Sequence, residues 1–287
     1  MIKSAIVIND TTWENHIGCE SVIQSIKKHC KKRDIEVVHS YQRSDVIHKA
    51  QEIKDKMTKV DMIFVNGEGS LHHSPQWFSD LLPILPHHQS CFLINTIWDK
   101  MFFNDVNLLN KFQLISVRES NSYDELLKTY SKPEKVSIVP DLIFGLDTVN
   151  KRQTRNKTGF GDSVLYSLRE YLSSLDNYFP LTYNDRKIIA QEYINWLRSL
   201  NLYVTGRFHG VCLSIISETK FFAFPSNSHK IEGILKDLDC EELLIHSLKD
   251  IDKINNEKNY IEIFKNYRKD AKKKINMFFD KVAEVAL

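Results

Sequence analysis

Several features that mark common protein classes are missing from this chain. Its five cysteines, Cys19, Cys30, Cys91, Cys212 and Cys240, are scattered and odd in number, and none belongs to a C-x-x-C pair. That pattern argues against a disulfide framework or a cysteine-built zinc site and suits a reducing, cytosolic setting. Cys91 and Cys212 lie in apolar runs and read as core thiols. No charge excess exists: 39 basic against 37 acidic residues leave a formal +2, which does not point to nucleic acid. No apolar run is long enough to span a bilayer. The opening "MIKSAIVINDTTW" carries one lysine and a short apolar run, and reads as a first strand rather than an export signal. A membrane-borne substrate would therefore be met at the cytoplasmic face. There is no internal repeat and no low-complexity tract. No G-x-x-x-x-G-K-S/T is present, and no G-x-G-x-x-G follows the first strand, so neither a P-loop nor NAD binding is expected.

What is present is an ordinary globular composition, 42% hydrophobic and 26% charged, over 287 residues. That length suffices for one large or two medium domains. Apolar strand patterns ("SAIVIND", "IEVVHSY", "VDMIFVNG", "SCFLINTIW", "FQLISVRES", "KVSIVPDLIFGL") alternate with helical ones, the second of which, "SDVIHKAQEIKDKMTK", is opened by Ser44-Asp45. Proline at position 83 is expected to end or bend the helix "SPQWFSDLLPIL". Strands that are apolar throughout and alternate with helices indicate an α/β fold with a parallel sheet covered on both faces. The polar stretch from Asp147 to Asp162 reads as an interdomain linker, separating residues 1–150 from residues 151–287. After it a shorter series follows: strand "SVLYSLRE", helix, strand "LYVTG", an apolar helix, strand "KFFAFP", a further helix, and one long amphipathic C-terminal helix from about Asn259. The basic residues of that last helix read either as a solvated face or as a face resting on an anionic membrane surface.

In open parallel sheets ligands gather beyond the carboxyl ends of strands, so the loops that follow strands carry the candidates. The first holds Asn15-His16-Ile17-Gly18, either a simple turn with Asn15 in a capping position or a place where Gly18 lets a ligand approach a helix N-terminus. The loop after "MIFV" reads Asn66-Gly67-Glu68-Gly69-Ser70-Leu71-His72-His73. Glu68, His72 or His73 there could take a proton from a hydroxyl. Adjacent histidines with no further ligand at metal spacing argue against a metal. Arg118-Glu119 is either a structural ion pair at a helix start or a functional cation. In the second half, Arg169, then Arg207 with His209, then Lys230 are expected at three successive strand ends. Cations in that register make an anion pocket, with Arg207 as a two-pronged partner for carboxylate or phosphate and an apolar helix aiming its positive end at the same spot.

Taken in order, "NHIGCE", "NGEGSLHH", "SVRESNSYDELL", "VPDLIF", "YSLRE", "VTGRFHG" and "FPSNSHKIEGIL" resemble the polysaccharide pyruvyl transferase family. The resemblance implies two Rossmann-like domains facing across a cleft, as in GT-B glycosyltransferases, here with a short second domain. It implies transfer of pyruvate from phosphoenolpyruvate (PEP) to a sugar of a bacterial surface glycan, as in capsule, exopolysaccharide or lipopolysaccharide, forming a cyclic ketal without metal or further cofactor. By the same resemblance Arg169, Arg207, the Phe208 backbone, His209 and Lys230 would contact the donor. Asn15, Gly67, Glu68, His72, His73 and Arg118 would serve the acceptor, a glycan or lipid-linked sugar. The implied chemistry uses Glu68 or a loop histidine such as His72 as base and His209 as the acid that protonates the PEP methylene. The partners so implied are PEP and the acceptor, with a peripheral membrane contact and no nucleic acid. Two alternatives stay open: transfer from a nucleotide sugar, with Glu218 or Glu232 on the ribose and Phe222 or Phe224 against the base, or a non-catalytic glycan-binding protein.

Overall fold

The computed structural model describes residues 2–68, 71, 75–86, 90–99, 106–149, 157–183, 187–253 and 258–285. His72 and His73 lie outside the described residues. The chain divides into two compact units: Met1–Trp13, Val22–Leu142 and Lys273–Leu287 form the first, and Glu14–Ser21 with Ile143–Lys272 the second.

The first unit is built on six parallel strands, β1 (Lys3–Ile8), β2 (Ile35–Tyr41), β3 (Met62–Asn66), β4 (Ser90–Thr96), β5 (Leu114–Val117) and β6 (Val136–Ile138), in the order β2-β1-β3-β4-β5-β6. Pairing runs Ala5↔Met62, Met62↔Ser90 and Phe92↔Leu114. Helices connect them: α1 (Ile17–Lys31), α2 (Arg43–His48), α3 (Ala50–Met57), α4 (Pro75–Ile84) and α5 (Ser120–Leu127). The central strands are apolar on both faces because both are covered; Met62, Ile63, Phe64 and Val65 have no exposed surface. Pro83 stands next to the last residue of α4, where the expected stop falls.

One expected helix is two. Ser44-Asp45 was the predicted opening, but Gln42 is the N-cap of α2, with its backbone N–H donating to Asp45 Oδ2 at 2.9 Å. The chain then turns at Lys49 (φ −128°, ψ 27°), which caps α2 and opens α3.

The second unit carries a three-stranded parallel sheet, β7 (Lys157–Ser163), β8 (Leu200–Gly206) and β9 (Phe221–Ala223), in that order. Its helices are α6 (Tyr166–Ser173), α7 (Ala190–Arg198), α8 (Phe208–Ser217) and α9 (Lys230–Asp237); the last helix, α10 (Tyr260–Val285), starts in this unit and from Lys273 belongs to the first. The expected linker is corrected here: Lys157–Asp162 belong to β7, and the predicted strand "SVLYSLRE" is mostly helix α6. The cause is packing. A Cβ on Gly161 would sit 1.8 Å from the Tyr203 hydroxyl, and one on Gly159 2.9 Å from the Trp196 ring. Aromatic side chains of α7 and β8 thus fill the volume that β7 leaves empty, and the strand lacks the apolar residues by which strands are recognised. Trp196 meets Tyr203 edge-on at 5.7 Å and Phe179 at 5.1 Å.

Every residue of α8 is buried, which accounts for its apolar composition on all sides. It ends at Glu218 in the left-handed region (φ 58°). Helix α10 buries a stripe that includes Phe264, Ala271, Ile275, Phe279 and Val282. Phe264 stacks on Phe221 at 5.3 Å. This apolar stripe is used inside the protein; the exposed side of α10 carries Lys265, Lys269, Lys273, Lys274 and Lys281 together with Glu262, Asp270, Asp280 and Met277. No described helix is long and apolar enough to cross a membrane.

Gly161→Ala is expected to lower stability by about 1–3 kcal/mol through overpacking. In the Tyr203→Phe background, where the colliding hydroxyl is gone, the loss should be smaller; urea denaturation midpoints of the four proteins of the cycle measure it.

Candidate functional site

The second unit gathers the residues with chemical potential. Strand β8 ends at Gly206, and Arg207 follows in extended conformation (φ −109°, ψ 132°) as the N-cap of α8. Its Nε donates to Asp162 Oδ2 on the neighbouring strand at 2.8 Å, and its backbone N–H to Thr205 Oγ1 at 3.1 Å. Asp162 is 1% exposed and the Arg207 side chain 19%, so the carboxylate fixes a guanidinium that keeps part of its fork open. Phe208 and His209, the first helical residues, are buried, as is Lys230 at the start of α9, whose Nζ donates to Asn227 Oδ1 at 2.7 Å. Arg169 is corrected: it lies in α6 rather than at a strand end, exposed, with its guanidinium 5.4 Å from the Tyr166 ring centroid. It stays near the cluster all the same. Burial and then Asp162 push the Tyr178 hydroxyl up, while Arg169 and Arg207 both pull it down.

The segment Glu14–Ser21 brings one more group that the motif search passed over. Ile17 N–H donates to Leu181 O and Tyr183 N–H to Asn15 O, both at 3.0 Å, and His16 bridges to Thr182. Tyr183 also donates its hydroxyl to Glu20 Oε1. So anchored, His16 lies 5.3 Å from His209, ring centroid to ring centroid. Its Nδ1 accepts the backbone N–H of Gly18 at 3.0 Å and of Cys19 at 3.4 Å. His16, not Asn15, is therefore the cap of α1; Asn15 is exposed and takes the left-handed turn before it (φ 48°). Burial, followed by the charges of His209, Arg207 and Lys230, holds His16 well below the ordinary imidazole value of 6.5. Gly18 is obligatory: a Cβ there would lie 2.2 Å from His209 Cγ. What approaches the glycine in this structure is a protein side chain, the His209 imidazole.

His16, Cys19 and His209 each place one ligand-type atom within 4.8 Å of the others. Two imidazoles and a thiol suit zinc in kind. The fit fails on His16. Metal at Nδ1 would displace two helix N–H groups, and metal at Nε2 would move the ring's proton to Nδ1, against the same two N–H groups. The Cys19 thiol donates to Glu14 Oε2 at 3.6 Å, and the surrounding charge from Arg207 and Lys230 is positive.

In the first unit, Glu68 is buried, with Oε2 accepting the Thr11 hydroxyl at 2.8 Å and Asn66 Nδ2 at 3.3 Å. The adjacent Gly67 donates its N–H to Ile94 O at 2.8 Å. The Arg118 side chain is 2% exposed and ion-paired with Asp141, itself at 0%, while Glu119 caps α5 by accepting Ser122 N–H at 3.1 Å. The ion pair with Asp141 holds Arg118 within the first unit. Phe222 and Phe224, at 1% and 6% exposure, are core residues and offer no wall for a base.

The two α/β units, with Arg207 and Lys230 following the ends of parallel strands, have a GT-B-like fold, and comparison narrows the class. The model of the polysaccharide pyruvyl transferase family matches residues 16–229, and the chain belongs to that family. Comparison with curated proteins gives no match. Among solved structures, the UDP-GlcNAc 2-epimerase from Methanocaldococcus jannaschii is similar at TM-score 0.56 and 11% identity, over 93% of this chain and 98% of that one. A putative UDP-N-acetylglucosamine 2-epimerase from Listeria monocytogenes is similar at TM-score 0.55 and 13% identity, over 92% and 91%. At such identities the likeness concerns the fold.

Gly18→Ala is expected to force the His209 imidazole out of place and lower stability by about 1–3 kcal/mol, read as a shift in denaturation midpoint. His16 also sets a pH dependence. Its folded pKa lies below its unfolded one, so the unfolded chain binds the proton first; the stability is present above about pH 6.5 and is lost as pH falls below it. His16→Asn, which keeps a capping side chain but cannot titrate, should flatten that acid limb, whose slope is at most about 1.4 kcal/mol per pH unit. Urea midpoints at several pH values between neutral and pH 5 check it.

Proposed function

We propose that this protein transfers the pyruvyl group of PEP to a sugar of a bacterial surface glycan, closing a cyclic ketal and releasing inorganic phosphate. The observation that carries the reading is the convergence of Arg207, Lys230 and His209 on one buried neighbour, His16, in a chain of this family. A donor that bears both a phosphate and a carboxylate suits a cluster of that charge. Arg207, held by Asp162, and Lys230 bind the donor's anionic groups, with the Phe208 backbone beside them and Arg169 contributing from α6. His209 protonates the methylene carbon, which leaves an oxocarbenium-like centre. The same cations stabilise the departing phosphate. Glu68 of the first unit, whose Oε2 accepts a hydrogen bond from the Thr11 hydroxyl, is the proposed base toward the sugar hydroxyl, with His72 as its alternative. A second hydroxyl of the sugar then closes the ketal. Asn15, Gly67 and His73 stay proposed acceptor contacts, and no metal takes part. The acceptor, a glycan or lipid-linked sugar, is met at the cytoplasmic side of the membrane, where the exposed lysines of α10 supply the attraction.

The similar Methanocaldococcus jannaschii epimerase is in complex with UDP-GlcNAc and UDP, which makes nucleotide sugars the natural control. PEP is expected to raise the thermal midpoint, by the equivalent of about 2.7 kcal/mol at a hundredfold excess over Kd, and UDP- and CMP-sugars are not. Arg207→Ala should abolish the PEP effect. Stabilisation by a nucleotide sugar with none by PEP would overturn the reading in favour of glycosyl transfer.

A further inference from the structure

We infer that His16 is a fixed, neutral hydrogen-bond donor of this anion site: the backbone N–H groups of Gly18 and Cys19 hold its Nδ1 as an acceptor, so its one proton stays on Nε2 and is donated to the anion that Arg207, His209 and Lys230 gather. The inference rests on reading that cluster as an anion site; it is independent of which anion is bound.

The argument begins with the helix. The first N–H groups of α1 need an acceptor, and the imidazole supplies its lone pair to two of them, at 3.0 and 3.4 Å. A proton on Nδ1 would set N–H against N–H and add charge at the positive end of a helix. In a neutral imidazole one nitrogen accepts and the other donates, so this cap dictates the tautomer. The groups facing the ring from other elements are His209 and Arg207 at the start of α8 and Lys230 at the start of α9, and each disfavours a charge on it. The nearby carboxylates do not offset this. Glu14 accepts the Cys19 thiol, and Glu20 is bound by the Tyr183 hydroxyl and by Lys187 Nζ at 2.9 Å.

A neutral donor has a specific use among cations. It adds a hydrogen bond to a bound oxyanion without adding repulsion among the groups that hold it. It also breaks the symmetry of the histidine pair. The two imidazoles lie 5.3 Å apart, centroid to centroid, and His16 is the one whose Nδ1 is committed to the N-terminus of α1.

The test is long-range 1H–15N correlation on the 15N-labelled full chain, with inorganic phosphate and PEP as probes. From pH 5.5 to 8.5 His16 should stay in the Nε2–H form without titrating, and phosphate should shift its Nε2–H resonance. His16→Asn retains a capping side chain but not this donor. It should keep the wild-type spectrum elsewhere and bind phosphate about ten- to a hundredfold more weakly, the range expected for a hydrogen bond to a charged group. An Nδ1–H form, a titration of His16 in this range, undiminished phosphate binding by His16→Asn, or no phosphate binding by the wild type overturns the inference. So does a thiolate-to-cobalt absorption on adding Co2+ that Cys19→Ser abolishes, because it would show the ring's lone pair free for a metal. The two readings fail separately. Phosphate binding through a fixed His16 without PEP binding sinks the pyruvyl donor alone, whereas PEP binding with a titrating His16 sinks the donor assignment alone.

Discussion

Helix α8 is buried over its whole length, and a helix without a solvated face can present polar groups only at its ends. That constraint organises the second unit. The end that emerges from β8 carries Arg207 and His209, and each must be held by the protein. Arg207 is held by Asp162 on the adjacent strand, and Thr205 ties its backbone to the same place. His209 is held by shape, against a Gly18 that has no room for a side chain. A buried charge is costly unless paired, and Asp162, 1% exposed, is the member of this pair that needs its partner. Because one of its nitrogens is committed to Asp162, the remainder of the fork is oriented in advance of any ligand, and less ordering cost is left for binding.

Much of the fold was legible in the sequence because its parallel strands are apolar on both faces and declare themselves as runs. "MIFVN" and "SCFLINT" became central strands as read. The misreadings share a physical cause, which is that side chains from elsewhere supplied what the local sequence lacked. Strand β7 reads "KTGFGDS" and looks like a linker, since Trp196 and Tyr203 provide the apolar bulk over its glycines. With β7 hidden, Arg169 was assigned to a strand end it does not occupy, and Asp162, the partner of Arg207, was passed over as linker. The Arg118 ion pair was hidden for a related reason: Asp141 is 23 residues away, a distance at which sequence spacing says nothing about pairing.

The largest omission was His16, in plain view within "NHIGCE". Its neighbours in sequence explain its role as a cap, yet no spacing rule could bring it beside a residue almost two hundred positions later. Gly18 was singled out correctly as a place of close approach, but for a ligand; the approaching group is the His209 ring. One glycine thus carries two consequences, since it opens the first turn of α1 to the His209 ring and thereby sets two imidazoles side by side.

Side by side, those imidazoles are not equivalent, and the difference is electrostatic rather than a matter of residue type. His16 spends its lone pair on the N-terminus of a helix, surrounded by positive charge. His209 opens a different helix, whose cap, Arg207, makes no side-chain bond to the helix it caps. A site that must both hold an anion and deliver a proton needs donors of two kinds, one that never changes its charge and one that does. A single arginine or lysine supplies the first kind at the price of raising the field against any proton nearby. A neutral imidazole locked by backbone N–H groups supplies it without that penalty.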